Sequence, residues 1–136
     1  MAKTTFRGPV LQGKEGSGFN LVEKTGAYSV LIGDSGKTFI VPKNSTTAGS
    51  SVTFTLPTVA DNDGSLWTFV NTGADGTNQI NITGAGGTEY ITYKGVVNQI
   101  TLTNTLATSK VGDYVKIAGD KTGSWWAVVD VQGVWA

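Results

Sequence analysis

Residues 33–39 have the sequence GDSGKTF, which contains a Gly-Lys-Thr triplet like the one that ends a phosphate-binding loop. Such a loop needs another glycine five residues before its second glycine, and a helix directly after it whose N–H groups bind phosphate. Leu31 occupies that glycine position, and the run FIVP at 39–42 favours a strand over a helix. The segment is therefore predicted to be a turn between two strands, and no nucleotide is expected to bind.

The segment DNDG at 61–64 places oxygen ligands at alternate positions, as at the start of a calcium-binding loop. A loop of the EF-hand type also needs a glutamate near its twelfth position, and residues 70–73 contain none. We therefore expect a structural turn and no metal. A looser site that joins Asp61 or Asp63 to Asp75, and holds a weak structural ion, stays open as an alternative.

Histidine and cysteine are absent from the 136 residues. This composition removes the usual general base near neutral pH, thiolate nucleophiles and most transition-metal sites, and it leaves pairs of carboxylates as the remaining route to catalysis. Most of the ten acidic residues lie in predicted turns, where a carboxylate normally bonds the backbone and holds the turn. The chain is predicted not to be an enzyme and to need no cofactor.

The charges of the chain balance, since ten Lys and Arg residues meet ten Asp and Glu residues and the formal net charge is zero. A neutral chain of this kind is not expected to bind nucleic acid or an anionic membrane surface. No apolar stretch reaches the roughly 18 residues that cross a bilayer, and the start MAKTTFRGPV lacks the hydrophobic region of a signal peptide. We expect a soluble protein that is made in a cytoplasm.

From residue 27 onward, short runs of β-branched and aromatic residues recur every ten to twelve residues between glycine-rich turns. Nine strands are predicted, with the sequences AYSVLI, KTFIVP, SVTFTLP, SLWTFVN, NQINITG, TEYITYK, NQITLTN, DYVKIAG and SWWAVVD. Apolar residues alternate with threonine or asparagine in VTFTL, INIT and ITLT, so threonine is predicted to face outward. The prediction is an all-β domain over 27–136, an antiparallel β-sandwich or β-barrel of jelly-roll or β-tulip type.

Residues 1–26 are rich in glycine and charge and have only scattered apolar side chains. This segment is predicted to be an extended N-terminal arm. Its apolar residues are too numerous for a linker and too irregular for a helix, so we expect them to pack on another subunit. The residues of the arm that are predicted to lie in an interface are Phe6, Arg7, Val10, Leu11 and Phe19.

Three of the four tryptophans lie near the C-terminus, in the segment SWWAVVDVQGVWA. Trp125 and Trp126 are adjacent, so on a strand they point to opposite faces and only one can enter the same core layer. Trp135, next to the last residue, needs a docking contact to stay ordered. Trp126 and Trp135 are therefore predicted to take part in an interface, to lie under the arm, or to form a stacking platform for sugars.

The order of DSGKTFIV, SVTFTLP, SLWTFVN and NQINITG, with a closing WWAVV and a final tryptophan, resembles small structural proteins of tailed phages. The chain is similar to capsid decoration proteins, also called cement proteins, over most of its length from residue 27. The same motifs occur in β-rich modules of phage tail fibres. A tail-fibre or carbohydrate-binding module is therefore the alternative.

This resemblance implies a virion protein on the outside of the phage head, made in the host cytoplasm. Such proteins bind the major capsid protein, often as homotrimers, and stabilise the capsid lattice. Several weak contacts made at once by one oligomer then add up through effective concentration. No enzymatic motif accompanies the resemblance.

Overall fold

The structure, a computed structural model, describes residues 20–42 and 51–136. In these two stretches eleven strands form two sheets. The strands are β1 (Leu21–Glu23), β2 (Tyr28–Ser29), β3 (Thr38–Pro42), β4 (Ser51–Thr55), β5 (Leu66–Thr72), β6 (Gln79–Thr83), β7 (Tyr90–Tyr93), β8 (Val96–Gln99), β9 (Thr101–Asn104), β10 (Tyr114–Asp120) and β11 (Trp125–Gln132). Short 3-10 turns at Ile32–Asp34, Val59–Asp61 and Ala85–Gly87 are the helical segments of this part of the chain. The prediction of an all-β fold is confirmed.

The first six strands alternate between the two sheets. Sheet A has the order β1-β3-β5-β10-β11-β7-β8, and sheet B has the order β2-β4-β6-β9. Since every second strand returns to the same sheet in the same direction, β1, β3 and β5 pair in parallel, and so do β2, β4 and β6. This half of the molecule is a coil of three turns, and each turn contributes one strand to each sheet.

The remaining strands add antiparallel pairs to this coil. β10 pairs antiparallel with both β5 and β11, β9 with β6, and β8 with β7, while β11 and β7 are parallel. Both sheets are therefore mixed, whereas the glycine-rich turns predicted antiparallel pairing. The reason is that several of these turns lead the chain into the opposite sheet, and a reversal signal in the sequence does not say which sheet comes next.

Side chains that point between the sheets form the core. Phe39, Phe54 and Phe69, on three successive strands of the coil, are fully buried, and their ring centroids lie 4.8 to 5.5 Å apart. This spacing is that of favourable aromatic pairs. The core therefore joins the two sheets through aromatic contacts made by consecutive strands.

The predicted alternation of apolar and polar side chains is observed in β4, β6 and β9. Their threonine side chains and Asn81 face outward and bond across strands, as Thr83 does with Thr101 at 3.1 Å and Asn81 with Thr53 at 3.4 Å. Ile100 departs from the prediction because it lies between β8 and β9, where the chain passes from sheet A to sheet B, and it is 40% exposed. No glycine or proline marks that corner in the sequence.

β1 lies within the segment that was predicted as an arm. It forms the edge of sheet A beside β3, and Val22 packs against the core. The predicted interface residues Phe6, Arg7, Val10, Leu11 and Phe19 lie outside the described residues. Over residues 20–42 and 51–136, no helix has the length and hydrophobicity to cross a membrane.

Candidate interaction surfaces

The GDSGKTF segment forms a turn before β3, as predicted. The carboxylate of Asp34 accepts hydrogen bonds from the hydroxyl of Tyr28 at 2.9 Å, the N–H of Leu31 at 2.9 Å and the ammonium of Lys37 at 2.6 Å. The lysine of the Gly-Lys-Thr triplet is therefore paired with an aspartate of its own turn, and a strand follows it.

Asp34 is only 3% exposed. Burial is the largest single influence and raises the pKa of Asp34, but the hydrogen bonds from Lys37, Leu31 and Tyr28 together outweigh it and hold the pKa below its usual value. Burial and the neighbouring Asp34 carboxylate raise the pKa of Tyr28. Asp34 is thus a charged group that stabilises the turn in its ionised form.

The two aspartates of DNDG have different partners. Asp61 accepts a hydrogen bond from the hydroxyl of Thr58 at 2.8 Å, whereas Asp63 accepts one from the N–H of Lys121 at 3.0 Å in the turn between β10 and β11. Asp75, the third residue of the predicted alternative, lies in another loop beside the segment that precedes β10. Among the residues described, no three His, Cys, Asp or Glu side chains come together as a metal site.

Asp75 accepts hydrogen bonds from the N–H of Val111 at 2.9 Å and from the ammonium of Lys110 at 3.2 Å. The hydrogen bond from the N–H of Val111 and, to a smaller extent, the hydrogen bond from the ammonium of Lys110 lower the pKa of Asp75. Asp113 accepts a bond from the N–H of Lys110 at 2.9 Å, and Asp120 accepts one from the N–H of Gly123 at 3.0 Å. These carboxylates hold turns and connect loops, as the sequence predicted for acids in such positions.

A buried group of polar side chains, which the sequence did not indicate, joins both sheets at the end where β5 and β9 finish. Asn71 donates to Asn104 at 3.1 Å, Asn104 donates to Asp113 at 2.9 Å, and Asn78 donates to the carbonyl of Pro42 at 2.9 Å. Asn71, Asn78, Asn104 and Asp113 are at most 3% exposed. The sequence signal is an asparagine at the end of each of two apolar strands, TFVN and TLTN. An asparagine at the end of a strand is equally expected to face solvent, so this signal does not predict burial.

Trp126 does not lie on the surface of this chain, where the sequence prediction placed it. It is fully buried, its ring lies 5.0 Å from that of Trp67, and its indole N–H donates to Glu89 at 3.1 Å. Adjacent tryptophans do point to opposite faces, as predicted, but Trp126 is the inner one and Trp125 the outer one. The prediction assigned the two residues to the wrong faces. Alternation along a strand shows that neighbouring residues lie on opposite faces, but it does not show which face is the inner one.

Trp135 is also buried, at 3% exposure, and its indole N–H donates to the carbonyl of Gln132 at 3.0 Å. The last residue, Ala136, exchanges two backbone hydrogen bonds with Thr103 of β9, at 2.7 and 2.9 Å. The C-terminus is therefore docked on the chain's own sheet B. The side chain of Trp135 is covered within this chain, and the interface or sugar platform at this residue stays a prediction.

Trp125 lies on the outer face of sheet A and is half-buried. Its indole N–H donates to the carboxylate of Asp120 at 3.1 Å. Tyr90 of β7 is its partner in the parallel register of β11 and β7, and the side chain of Tyr90 is 42% exposed. One aromatic face of the molecule is therefore open to solvent at this end of sheet A.

A second open surface lies at the edge of sheet A. Three apolar side chains in and just after β8 are exposed, namely Val96 (46%), Val97 (55%) and Ile100 (40%), and we call them the edge patch. β8 pairs only with β7 in sheet A, so among the described strands its other side is unpaired. Lys94 and Gly95, both at positive φ, form the tight turn that presents this hairpin.

The edge patch contains no charge, and an apolar edge strand with one unpaired side is the kind of surface that pairs with another chain. The patch and the aromatic face around Trp125 are two candidate interaction surfaces of the described residues. No protein-family model matches the chain, and no curated protein matches its sequence.

Proposed function

We propose that this chain is a virion structural protein of a tailed phage, a decoration protein that binds the outside of the head and stabilises the capsid lattice. The resemblance of its motifs to those of decoration proteins supports the proposal, and so does the use of its carboxylates, which connect loops. The proposed partners are the major capsid protein and further copies of the chain. The proposed role involves no chemical reaction.

The observation that carries the proposal is the edge patch. Val96, Val97 and Ile100 expose apolar surface beside an unpaired strand, and proteins that work alone normally protect such an edge with charge, proline or a covering loop. An exposed apolar edge is tolerated in a protein whose edge strand is covered by a partner in the assembled state. We therefore assign the edge patch to contact with the capsid shell.

We also propose that three copies of the chain act together. Three copies that bind neighbouring capsid subunits gain affinity through effective concentration even if each contact is weak. The number three follows from the resemblance, because the side chains of Trp126 and Trp135 are covered within this chain. The arm residues Phe6, Val10 and Leu11 are proposed to add contacts to a neighbouring subunit.

The experiment is a binding assay of the purified protein on empty capsid shells, with Val97→Lys compared with Val129→Lys. Both valines lie on sheet A and both are 55% exposed, but Val129 is in β11, away from the edge. A lysine on an edge strand blocks pairing with another chain. Val97→Lys is expected to reduce shell binding at least tenfold, and Val129→Lys is expected to leave it unchanged.

Equal binding by the two variants and the unaltered protein would remove the edge patch from the proposal. Deletion of residues 1–14 tests the arm in the same assay, with weaker binding and an unchanged melting temperature as the expected result. The copy number in purified particles distinguishes the head from the tail. A decoration protein is present in numbers comparable with the capsid lattice, whereas a tail-fibre module is present in a few copies.

A further inference from the structure

Trp125 is the one tryptophan of the chain whose side chain is partly open to solvent. The others are no more than 3% exposed: Trp67, Trp126 and Trp135. Leaving a large aromatic side chain in contact with water forgoes burial energy that its neighbour Trp126 obtains in full. Trp125 is therefore the tryptophan whose side chain stays available for a further contact.

The ring of Trp125 is held in one orientation. Its N–H is bonded to Asp120, and Gly123 lies against the ring so closely that a Cβ at residue 123 would overlap the indole. The residue between them, Ser124, has a φ of 60°, a left-handed conformation that is uncommon outside glycine. A ring that is fixed before a ligand arrives loses little conformational entropy on binding.

The surroundings of Trp125 form a shallow shelf. Trp125, Tyr90 and Asp120 lie side by side on the outer face of sheet A, and we call them the Trp125 platform. The next row of the same face consists of the small residues Ala118, Ala127 and Thr92. The side chains of Trp125 and Tyr90 therefore project beyond the small side chains of the neighbouring row on the same face of the sheet.

The platform combines an aromatic surface with a hydrogen-bond acceptor. The Asp120 carboxylate accepts one bond from Gly123 and one from Trp125, and a carboxylate has about four acceptor positions. Two positions are left for donors from a ligand. Charged residues are depleted at the centre of protein interfaces, so an aspartate directly beside the platform tryptophan is unfavourable for a protein partner.

We propose that the Trp125 platform binds a neutral saccharide. The C–H face of a pyranose ring stacks on the indole of Trp125, Tyr90 provides a second aromatic contact, and sugar hydroxyls donate to Asp120. The three platform residues carry one negative charge and no positive charge, which disfavours an anionic polysaccharide. This inference does not depend on the decoration function, because the platform and the edge patch have no residue in common.

The experiment uses the full chain and follows its tryptophan fluorescence while neutral hexasaccharides are added. The probes are β-1,4-linked glucose, α-1,4-linked glucose and β-1,4-linked N-acetylglucosamine. Since the other three tryptophans are buried, a change in emission, and protection from acrylamide quenching, report on Trp125. We expect at least one probe to bind at millimolar concentration or below and to protect a single tryptophan.

Variants identify the surface. Trp125→Ala is expected to weaken binding at least tenfold as measured by calorimetry, and Trp125→Phe is expected to retain part of it. Tyr114→Ala is the matched control, because Tyr114 lies on the same face of β10, six residues from Asp120 and so about 20 Å along the strand. Tyr114→Ala is expected to leave saccharide binding unchanged.

Three results would overturn the inference. They are the absence of binding by every probe at millimolar concentration, unchanged binding by a folded Trp125→Ala variant, and loss of shell binding by Trp125→Ala without any saccharide binding. The last result would assign the platform to a protein interface. Because Val97→Lys tests the edge patch separately, failure of the platform and failure of the decoration proposal can be told apart.

Discussion

The indole N–H of Trp126 and the backbone N–H of Val59 donate to the same carboxylate, that of Glu89, at 3.1 Å and at 3.0 to 3.1 Å respectively. Glu89 is 37 residues from Trp126 and 30 from Val59 along the chain. It therefore connects the turn before β5 to the inner face of β11. The two donor residues are buried, at 0% and 5% exposure, so neither N–H has water as a replacement acceptor.

Glu89→Ala is expected to destabilise the protein by about 2–4 kcal/mol, because each buried donor left without an acceptor costs about 1–3 kcal/mol. Urea denaturation gives this free energy. Glu89→Gln keeps one acceptor oxygen and is expected to cost less. A loss below about 1 kcal/mol for Glu89→Ala would mean that the two N–H groups find other acceptors.

The two adjacent tryptophans differ in their contribution to stability. Trp126→Ala opens a cavity in the core and is expected to cost about 3–5 kcal/mol, whereas Trp125→Ala removes a half-buried ring and one hydrogen bond and is expected to cost about 1 kcal/mol. Thermal unfolding of both variants measures the difference. Equal losses for the two residues would contradict the placement of Trp126 in the core.

The ionised form of Asp34 stabilises the fold, since its pKa in the folded protein lies below the ordinary value of 3.8. Its contribution is fully present well above pH 3.8 and is lost as the pH falls through that value and then through the lower folded-state pKa. Asp34→Asn is therefore expected to destabilise the protein more at neutral pH than near pH 3. Melting temperatures at both pH values test this, with Asp61→Asn at an exposed position as the control.

Gly133 and Gly112 have nearly the same backbone conformation, with φ of 91° and 89°, but different surroundings. A Cβ at residue 133 would overlap the carboxylate of Asp113, whereas a Cβ at residue 112 meets nothing within 4 Å. Gly112→Ala is expected to cost about 1–2 kcal/mol from backbone strain alone. Gly133→Ala is expected to cost at least about 1 kcal/mol more, because it also displaces a buried hydrogen-bonded carboxylate. Equal melting temperatures for the two variants would contradict this.

Local patterns in the sequence predicted nine of the eleven strands, all but β1 and β8. The alternation of Val52, Thr53 and Phe54 shows by itself which residues share a face, because alternation along a strand needs no knowledge of its partners. The same holds for the turn at Asp34, where the acceptor and its donors lie within six residues.

Properties that depend on distant residues were not predictable in this way. The parallel pairing of β3 with β5 depends on the intervening strand entering sheet B, and nothing within either strand records that choice. The role of Glu89 depends on partners 30 and 37 residues away. The exchange of Trp125 and Trp126 has the same origin, because the face that each residue occupies is set by the register of β11 with its neighbours.

The coil formed by the first six strands has open strand edges at one end, where further strands could pair. Within the coil, each turn forms ladders only with its neighbouring turns, so the first turn leaves β1 and β2 as the outer strands of both sheets at one end of the coil. A segment that extends this end has to supply two strands in alternation, one for each open ladder. The two open ladders at this end would therefore be extended by one complete turn of the coil at a time.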